Sequence, residues 1–205
     1  MATRVFLVRH GQTEWNTTRR FQGHHDVPLS EAGVRQAERL ALRLAGEPLS
    51  AVYTSDLSRA FETAQVIVSR HAGVAVLPLR ELREIDMGEW EGKTFDEIRD
   101  TAPCAAVKWL EDTVNNPIPG GESYAQLRDR VVPRVLQLVQ AHPDSSICIV
   151  SHAGPVKLLL CHALGLGAEG RLRIDLANAS LSGVSYSPGE PPRVLFMNDT
   201  CHLLT

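Results

Sequence analysis

The chain has 205 residues, of which 43% are hydrophobic, enough for one large domain around a continuous core or for two small ones. A formal net charge of −3 excludes a global positive field of the kind that gathers nucleic acid or anionic membrane, while leaving room for a local positive pocket. No apolar run approaches the roughly 18 residues of a membrane span, and no apolar signal region follows a basic start, so a cytoplasmic protein with no membrane partner is expected.

The first predicted strand covers residues 4–8. A polar loop leads to a helix capped by Ser30, with Glu31 behind it and an apolar face of Val34, Ala37, Leu40, Ala41 and Leu44. A second strand at 51–54 feeds a helix carrying Leu57, Ala60, Phe61, Ala64, Ile67 and Val68. Residues 74–77 read as a further strand. The stretch 92–121 is less regular and ends in Asn115-Asn116-Pro117-Ile118-Pro119-Gly120-Gly121. It is expected to be an insertion over one end of the sheet, within a single domain spanning 1–205. A long helix over 123–141 turns Tyr124, Leu127, Val131, Val135 and Leu138 inward, with a kink expected at Pro133. The strand 147–150 precedes Gly154-Pro155, which opens a helix over 156–164 stopped by Gly165. Residues 181–186 and 194–197, joined through Pro188-Gly189, read as a closing edge hairpin. This alternation implies an α/β fold, a three-layer α/β/α sandwich with a mostly parallel central sheet.

Two of these strands run straight into a histidine. Val5-Phe6-Leu7-Val8 leads to Arg9-His10-Gly11, and Ile147-Cys148-Ile149-Val150 leads to Ser151-His152-Ala153-Gly154. Strand C-termini are where open α/β sheets bind ligands, so both imidazoles are expected on one rim. Arg59 follows the second strand and joins them there. Helix N-termini offer free N–H groups, and two arginines add cations whose forks match phosphate oxygens. An anion pocket containing an imidazole has the parts that phosphoryl transfer needs. A leaving alkoxide also needs a proton donor, and Glu84, Asp86, Glu89 and Glu91 all lie in one acidic stretch; periodicity does not choose among them. A metal site from His10, His24, His25, His152 and Asp26 is the rival, but the spacing lacks a ligand pattern and Arg9 would oppose a divalent cation. A binding protein on a degenerate site is a second rival. Gly165-Leu166-Gly167-Ala168-Glu169-Gly170 fits a dinucleotide fingerprint, yet it follows a helix. The four cysteines have no metal-like spacing and read as reduced.

The motifs Arg9-His10-Gly11-Gln12-Thr13-Glu14-Trp15-Asn16, Phe21-Gln22-Gly23-His24-His25-Asp26-Val27-Pro28-Leu29-Ser30-Glu31-Ala32-Gly33, Ser55-Asp56-Leu57-Ser58-Arg59-Ala60, Arg83-Glu84-Ile85, Gly88-Glu89-Trp90-Glu91-Gly92, Pro119-Gly120-Gly121-Glu122-Ser123 and Val150-Ser151-His152-Ala153-Gly154 occur in this order. Together they resemble the histidine phosphatase superfamily, also called phosphoglycerate mutase-like, over nearly the whole chain. The resemblance implies that His10 is the nucleophile, that Arg9, Arg59 and His152 bind the phosphoryl group, and that Glu84 is the acid/base. It implies substrate contacts at Asn16, Gln22 and Gly23, with Thr13 and Ala153 in the same motifs as further candidates. No metal and no cofactor are implied. The expected partner is a small-molecule phosphate ester, and oligomeric state stays open, a homodimer included.

Within that resemblance the chain looks like the small phosphatases acting on α-ribazole phosphate, phosphoglycerate derivatives or mixed monoesters. Gln12-Thr13 stands where the mutases read Glu-Ser, Met87 stands where related mutases carry tyrosine, and no paired arginines occur in 92–121. The alternative is a phosphoglycerate mutase. Phe21, His24, His25, Trp90 and Trp109 are candidates to shape a leaving-group pocket, with core packing the equal reading for Trp109.

Overall fold

A computed structural model describes residues 2–204. Six strands form one sheet in the order β3-β2-β4-β1-β5-β6, with β1 Thr3–Arg9, β2 Leu49–Thr54, β3 Val76–Pro78, β4 Ser146–Ser151, β5 Leu181–Tyr186 and β6 Arg193–Asp199. The first four in that order pair in parallel, and β5 and β6 add the antiparallel hairpin expected at the edge.

Successive strand residues face opposite sides of a sheet. Here the period divides the apolar residues between two cores. Val5, Leu7, Ile147 and Ile149 join one core, while Phe6, Val8, Cys148 and Val150 join the other. The first is closed by α6 (Tyr124–Ala141) through Leu127, Val131 and Val135, and by α7 (Ala153–Ala163) through Val156 and Leu160. The second is closed by α2 (Glu31–Leu44) through Leu40 and Leu44, and by α3 (Ser58–Val68) through Ala60, Ala64 and Ile67. Both faces covered by helices is what a buried parallel sheet requires. Among the described residues, no helix is long and apolar enough to cross a membrane.

The predicted elements hold with local shifts. Ser30 caps α2 by accepting from the Gly33 amide at 3.1 Å, and Ser123 with Gln126 forms a capping box on α6. Val34 is 39% exposed and not on the inward face of α2. Gly33 takes the inward place instead, because the helix start packs on the backbone of residues 11–12 so closely that a side chain there would overlap the Gln12 carbonyl. The strand expected at 74–77 begins only at Val76 and ends at Pro78, which suits a short edge strand because proline has no N–H to donate. Helix α7 starts three residues before the expected boundary, with His152 itself as its N-cap. Pro133 lies inside α6, which continues through it to Ala141. Two short helices, α4 (Phe95–Thr101) and α5 (Pro103–Glu111), occupy much of 92–121 and join the first core through Ile98 and Ala106. The remaining helix, α1, is one turn over Glu14–Thr17.

Candidate active site

The parallel register pairs Arg9 with Ser151. The next residue on each strand is a histidine, so the ladder itself sets His10 beside His152. Adjacent strands lie about 4.8 Å apart, and the two rings meet edge to face with centroids 5.1 Å apart. The His10 amide donates to the Ser151 carbonyl at 2.9 Å, which extends the ladder one step past β1.

Proton positions on these rings follow from their partners. His10 Nδ1 lies 2.6 Å from the Gly11 carbonyl. A carbonyl only accepts, so Nδ1 carries the proton and Nε2 holds the lone pair. Arg59 Nε donates to His152 Nδ1 at 3.2 Å. A guanidinium only donates, so the His152 proton sits on Nε2, which is buried without a partner. Burial, then the charges of Arg59 and Arg9, hold the His10 imidazole well below its usual 6.5. Burial, then Arg59 and His10, do the same for His152. Both rings are therefore neutral at physiological pH.

Arg59, in the first turn of α3, is fully buried. Two of its four remaining N–H groups go to the His25 carbonyl at 2.9 Å and the Gly23 carbonyl at 2.8 Å, which leaves one hydrogen on each terminal nitrogen for an anion. Burial lowers its guanidinium to about 10, which leaves it charged near neutral pH. Arg9 donates to the Leu176 carbonyl at 2.5 Å, and its Nε is buried without a partner. Asn16 Oδ1 accepts from the Thr13 amide, the Thr13 hydroxyl and Asn178 Nδ2, so its own amide hydrogens stay available. One end of the Gln22 amide is buried and unpartnered. The unpaired donors, Arg9 Nε and His152 Nε2, each carry a desolvation cost of about 1–3 kcal/mol that an incoming anion would offset, whereas Gln22 Oε1 is an acceptor and calls for a donor such as a substrate hydroxyl.

A cleft of about 130 Å³ is lined by Arg9, His10, Asn16, Gln22, Gly23, Arg59 and Glu84, together with Arg20, Phe21 and Met87; His152, fully buried against His10, does not line it. Among the four carboxylates left open by the sequence, only Glu84 lines it. Asp86 is turned back onto the Gly88 amide, Glu91 accepts from the His24 amide, and Glu89 is exposed. Glu84 Oε1 accepts from the Gly154 and Ile85 amides at 3.1 and 3.0 Å. That seat on the first turn of α7 requires glycine at 154, because a side chain there would displace the carboxylate and press on Leu127.

Several expected residues lie elsewhere. Thr13 is buried as the N-cap of α1, its side chain engaged by Asn16. Ala153 opens α7 beside the cleft without lining it. Trp90 is buried in the first core and packs edge to face on Trp109 at 5.4 Å, leaving Phe21 as the cleft's aromatic. Of the metal rival's side chains only His10 and His152 meet; Asp26 accepts from the Ser58 amide and hydroxyl at the start of α3, His25 stacks on Trp15 at 4.6 Å, and His24 Nε2 bonds the Glu84 carbonyl at 3.0 Å. Among the described residues no three His, Cys, Asp or Glu side chains converge as a metal-binding group. Two residues of the site escaped the sequence reading, and only the first lines the cleft. Arg20 lines the cleft, and its signal was the Arg19-Arg20 pair before Phe21. Asn178 bonds Asn16 and reaches the His10 carbonyl at 3.3 Å, but a residue 168 positions away leaves no local signal.

The profile described as the histidine phosphatase superfamily, branch 1, matches residues 5–200. The chain belongs to this superfamily. Phosphoglycerate mutase-like protein 4 of Arabidopsis thaliana is 40% identical to it, over 97% of this chain and 86% of the plant protein. A bifunctional protein of Mycobacterium tuberculosis is 37% identical over 98% of this chain, which spans only 55% of that longer protein. Among solved structures, a phosphoserine phosphatase variant of Entamoeba histolytica in complex with phosphoserine superposes with a TM-score of 0.88 at 29% identity, over 98% of this chain and 100% of that one. This histidine phosphatase superfamily member thus shares its mixed α/β fold with enzymes of phosphate esters, under names that include both phosphatases and mutase-like proteins.

Proposed function

We propose that this protein is a metal-independent phosphomonoester hydrolase for a small phosphorylated metabolite, working through a phosphohistidine at His10. The observation that carries the reading is the tautomer pair. His10 offers a bare Nε2 lone pair beside two arginines, while the neighbouring His152 offers a buried N–H with no partner.

In the first step His10 Nε2 forms a bond to phosphorus as the bond to the ester oxygen breaks. The leaving alkoxide takes its proton from the Glu84 carboxyl group. The phosphoryl oxygens lie among Arg9, Arg59, the His152 Nε2 hydrogen and the Asn16 amide, whose donors match charge spread over three equatorial oxygens. In the second step Glu84, now a carboxylate, takes a proton from water as the water oxygen attacks phosphorus and the nitrogen–phosphorus bond breaks. Inorganic phosphate leaves and Glu84 is again protonated.

Hydrolysis is preferred to mutase chemistry because a mutase must retain a doubly anionic substrate while the phosphoenzyme persists. Arg20, the cleft cation outside the core set, is already committed to Glu97 at 2.9 and 3.2 Å and to the Gly92 carbonyl at 2.7 Å. Met87 lacks the hydroxyl that tyrosine would bring. The test is a rate screen across phosphorylated metabolites with phosphoglycerate isomerisation assayed in parallel. Phosphate release without isomerisation is expected; isomerisation outrunning phosphate release would overturn the hydrolase reading in favour of the mutase.

A further inference from the structure

We infer that Arg130, together with Glu122, positions Glu84 for proton transfer, acting through the backbone of the loop that carries it. This rests on the acid/base role proposed above. No regular helix or strand spans residues 83–87, so nothing in the sheet ladder fixes the Glu84 main chain.

Arg130 lies on α6, outside every motif that identifies the superfamily here, and the sequence presents it as an ordinary polar helix residue. In the structure each of its five N–H groups is used. Nη1 donates to the Glu81 carbonyl at 2.9 Å and the Arg83 carbonyl at 3.1 Å. Nη2 donates to the Glu84 carbonyl at 3.1 Å and to Glu122 Oε2 at 2.7 Å, and Nε donates to Glu122 Oε1 at 3.0 Å. Glu122 carries the grip further along the loop. Its Oε2 accepts from the Asp86 amide at 3.0 Å, and its own amide donates to the Asp86 carbonyl at 2.9 Å. The two residues therefore hold the main chain at 81, 83, 84 and 86, on both sides of the acid.

A solvent-facing ion pair would not need this arrangement. Such pairs save little free energy and seldom use every donor. Three carbonyls read by one planar fork define an orientation, which a flexible ammonium cannot reproduce. Orientation is what the acid needs. Its carboxylate is seated on the Gly154 and Ile85 amides, and a shift of the Glu84 main chain would carry it off that seat and away from the leaving oxygen. Misplacement by about 1 Å can cost on the order of 10²-fold in rate.

The experiment compares Arg130→Lys, Arg130→Met, Glu122→Gln and Glu84→Gln in first-turnover measurements. The substrates are 4-nitrophenyl phosphate, whose leaving group needs little protonation, and the alkyl monoester hydrolysed fastest in the screen above. The Arg130 variants are expected to slow the alkyl ester by about tenfold or more while changing the nitrophenyl ester less than about threefold. In a Glu84→Gln background, Arg130→Met is expected to add less than about twofold, since both changes remove the same proton transfer. Equal losses on the two esters with native circular dichroism, or losses that multiply in the Glu84→Gln background, would overturn the inference. Should Arg130→Met not fold, Arg130→Lys and Glu122→Gln decide it, and unchanged leaving-group selectivity in both would overturn it. If Glu84→Gln itself fails to discriminate between the esters, the acid/base assignment falls first; if it discriminates and the Arg130 variants do not, only the brace falls.

Discussion

The rim that carries His10 and the loop that carries Glu84 are held by different kinds of bond. At the rim, parallel register between β1 and β4 puts His10 and His152 side by side, and apolar residues buried on both faces hold those strands. Along the loop, side chains do that job: Arg130 and Glu122 grip the main chain, and Arg83 forks onto Asp56 at 2.6 and 2.7 Å. The lesson is that the proposed nucleophile and phosphate cradle are built into a ladder, whereas the proposed acid hangs on a few polar contacts. Rim and loop are therefore expected to fail differently.

Removing the proposed nucleophile at the rim is the largest test. His10→Ala is expected to lower kcat on the order of 10⁴–10⁶-fold and to abolish an acid-labile phosphoenzyme trapped in alkali. Normal turnover in that variant would end the mechanism. Removing the proposed acid on the loop comes next. Glu84→Gln is expected to cost about 10²–10⁴-fold on alkyl esters and much less on activated ones, read as a steeper dependence of rate on leaving-group pKa.

Acid exposes the rim without mutation. His10 and His152 are neutral when folded, because burial and nearby arginines hold both below 6.5. In the unfolded chain they titrate near 6.5. Below that pH the unfolded state takes up protons that the folded state refuses, so this stability is present above about pH 6.5 and is lost as pH falls. Urea midpoints from pH 7.5 to 5 should decline, and the decline should be shallower in His152→Asn. By the same argument the acid limb of kcat/KM should fall below pH 6.5. The smallest expected effects concern the scaffold behind the rim. Leu40→Ala is expected to cost about 2–5 kcal/mol by urea denaturation, and Val34→Lys within about 0.5 kcal/mol. Similar costs would contradict the observed burial of α2.

Much of this was legible in the amino-acid order. Strand and helix periods gave the layers, and two strands ending in histidine marked the rim, because period-2 and period-3.6 burial are local properties of the chain. Val34 was misread because periodicity cannot see Gln12 packing against Gly33. Glu84 could not be told from Asp86, Glu89 and Glu91 by pattern, since all four share one irregular loop. Only folding put the Gly154 amide under one of them, and only folding brought Asn178 and Arg130 to residues far away in sequence. The chain by itself determined what repeats along it: the elements, the buried faces and the chemistry waiting at strand ends. Tertiary structure decided what depends on distance between remote segments, namely which carboxylate faces the imidazole and which proton each ring carries, because hydrogen bonds act over about 3 Å of space whatever the separation along the chain.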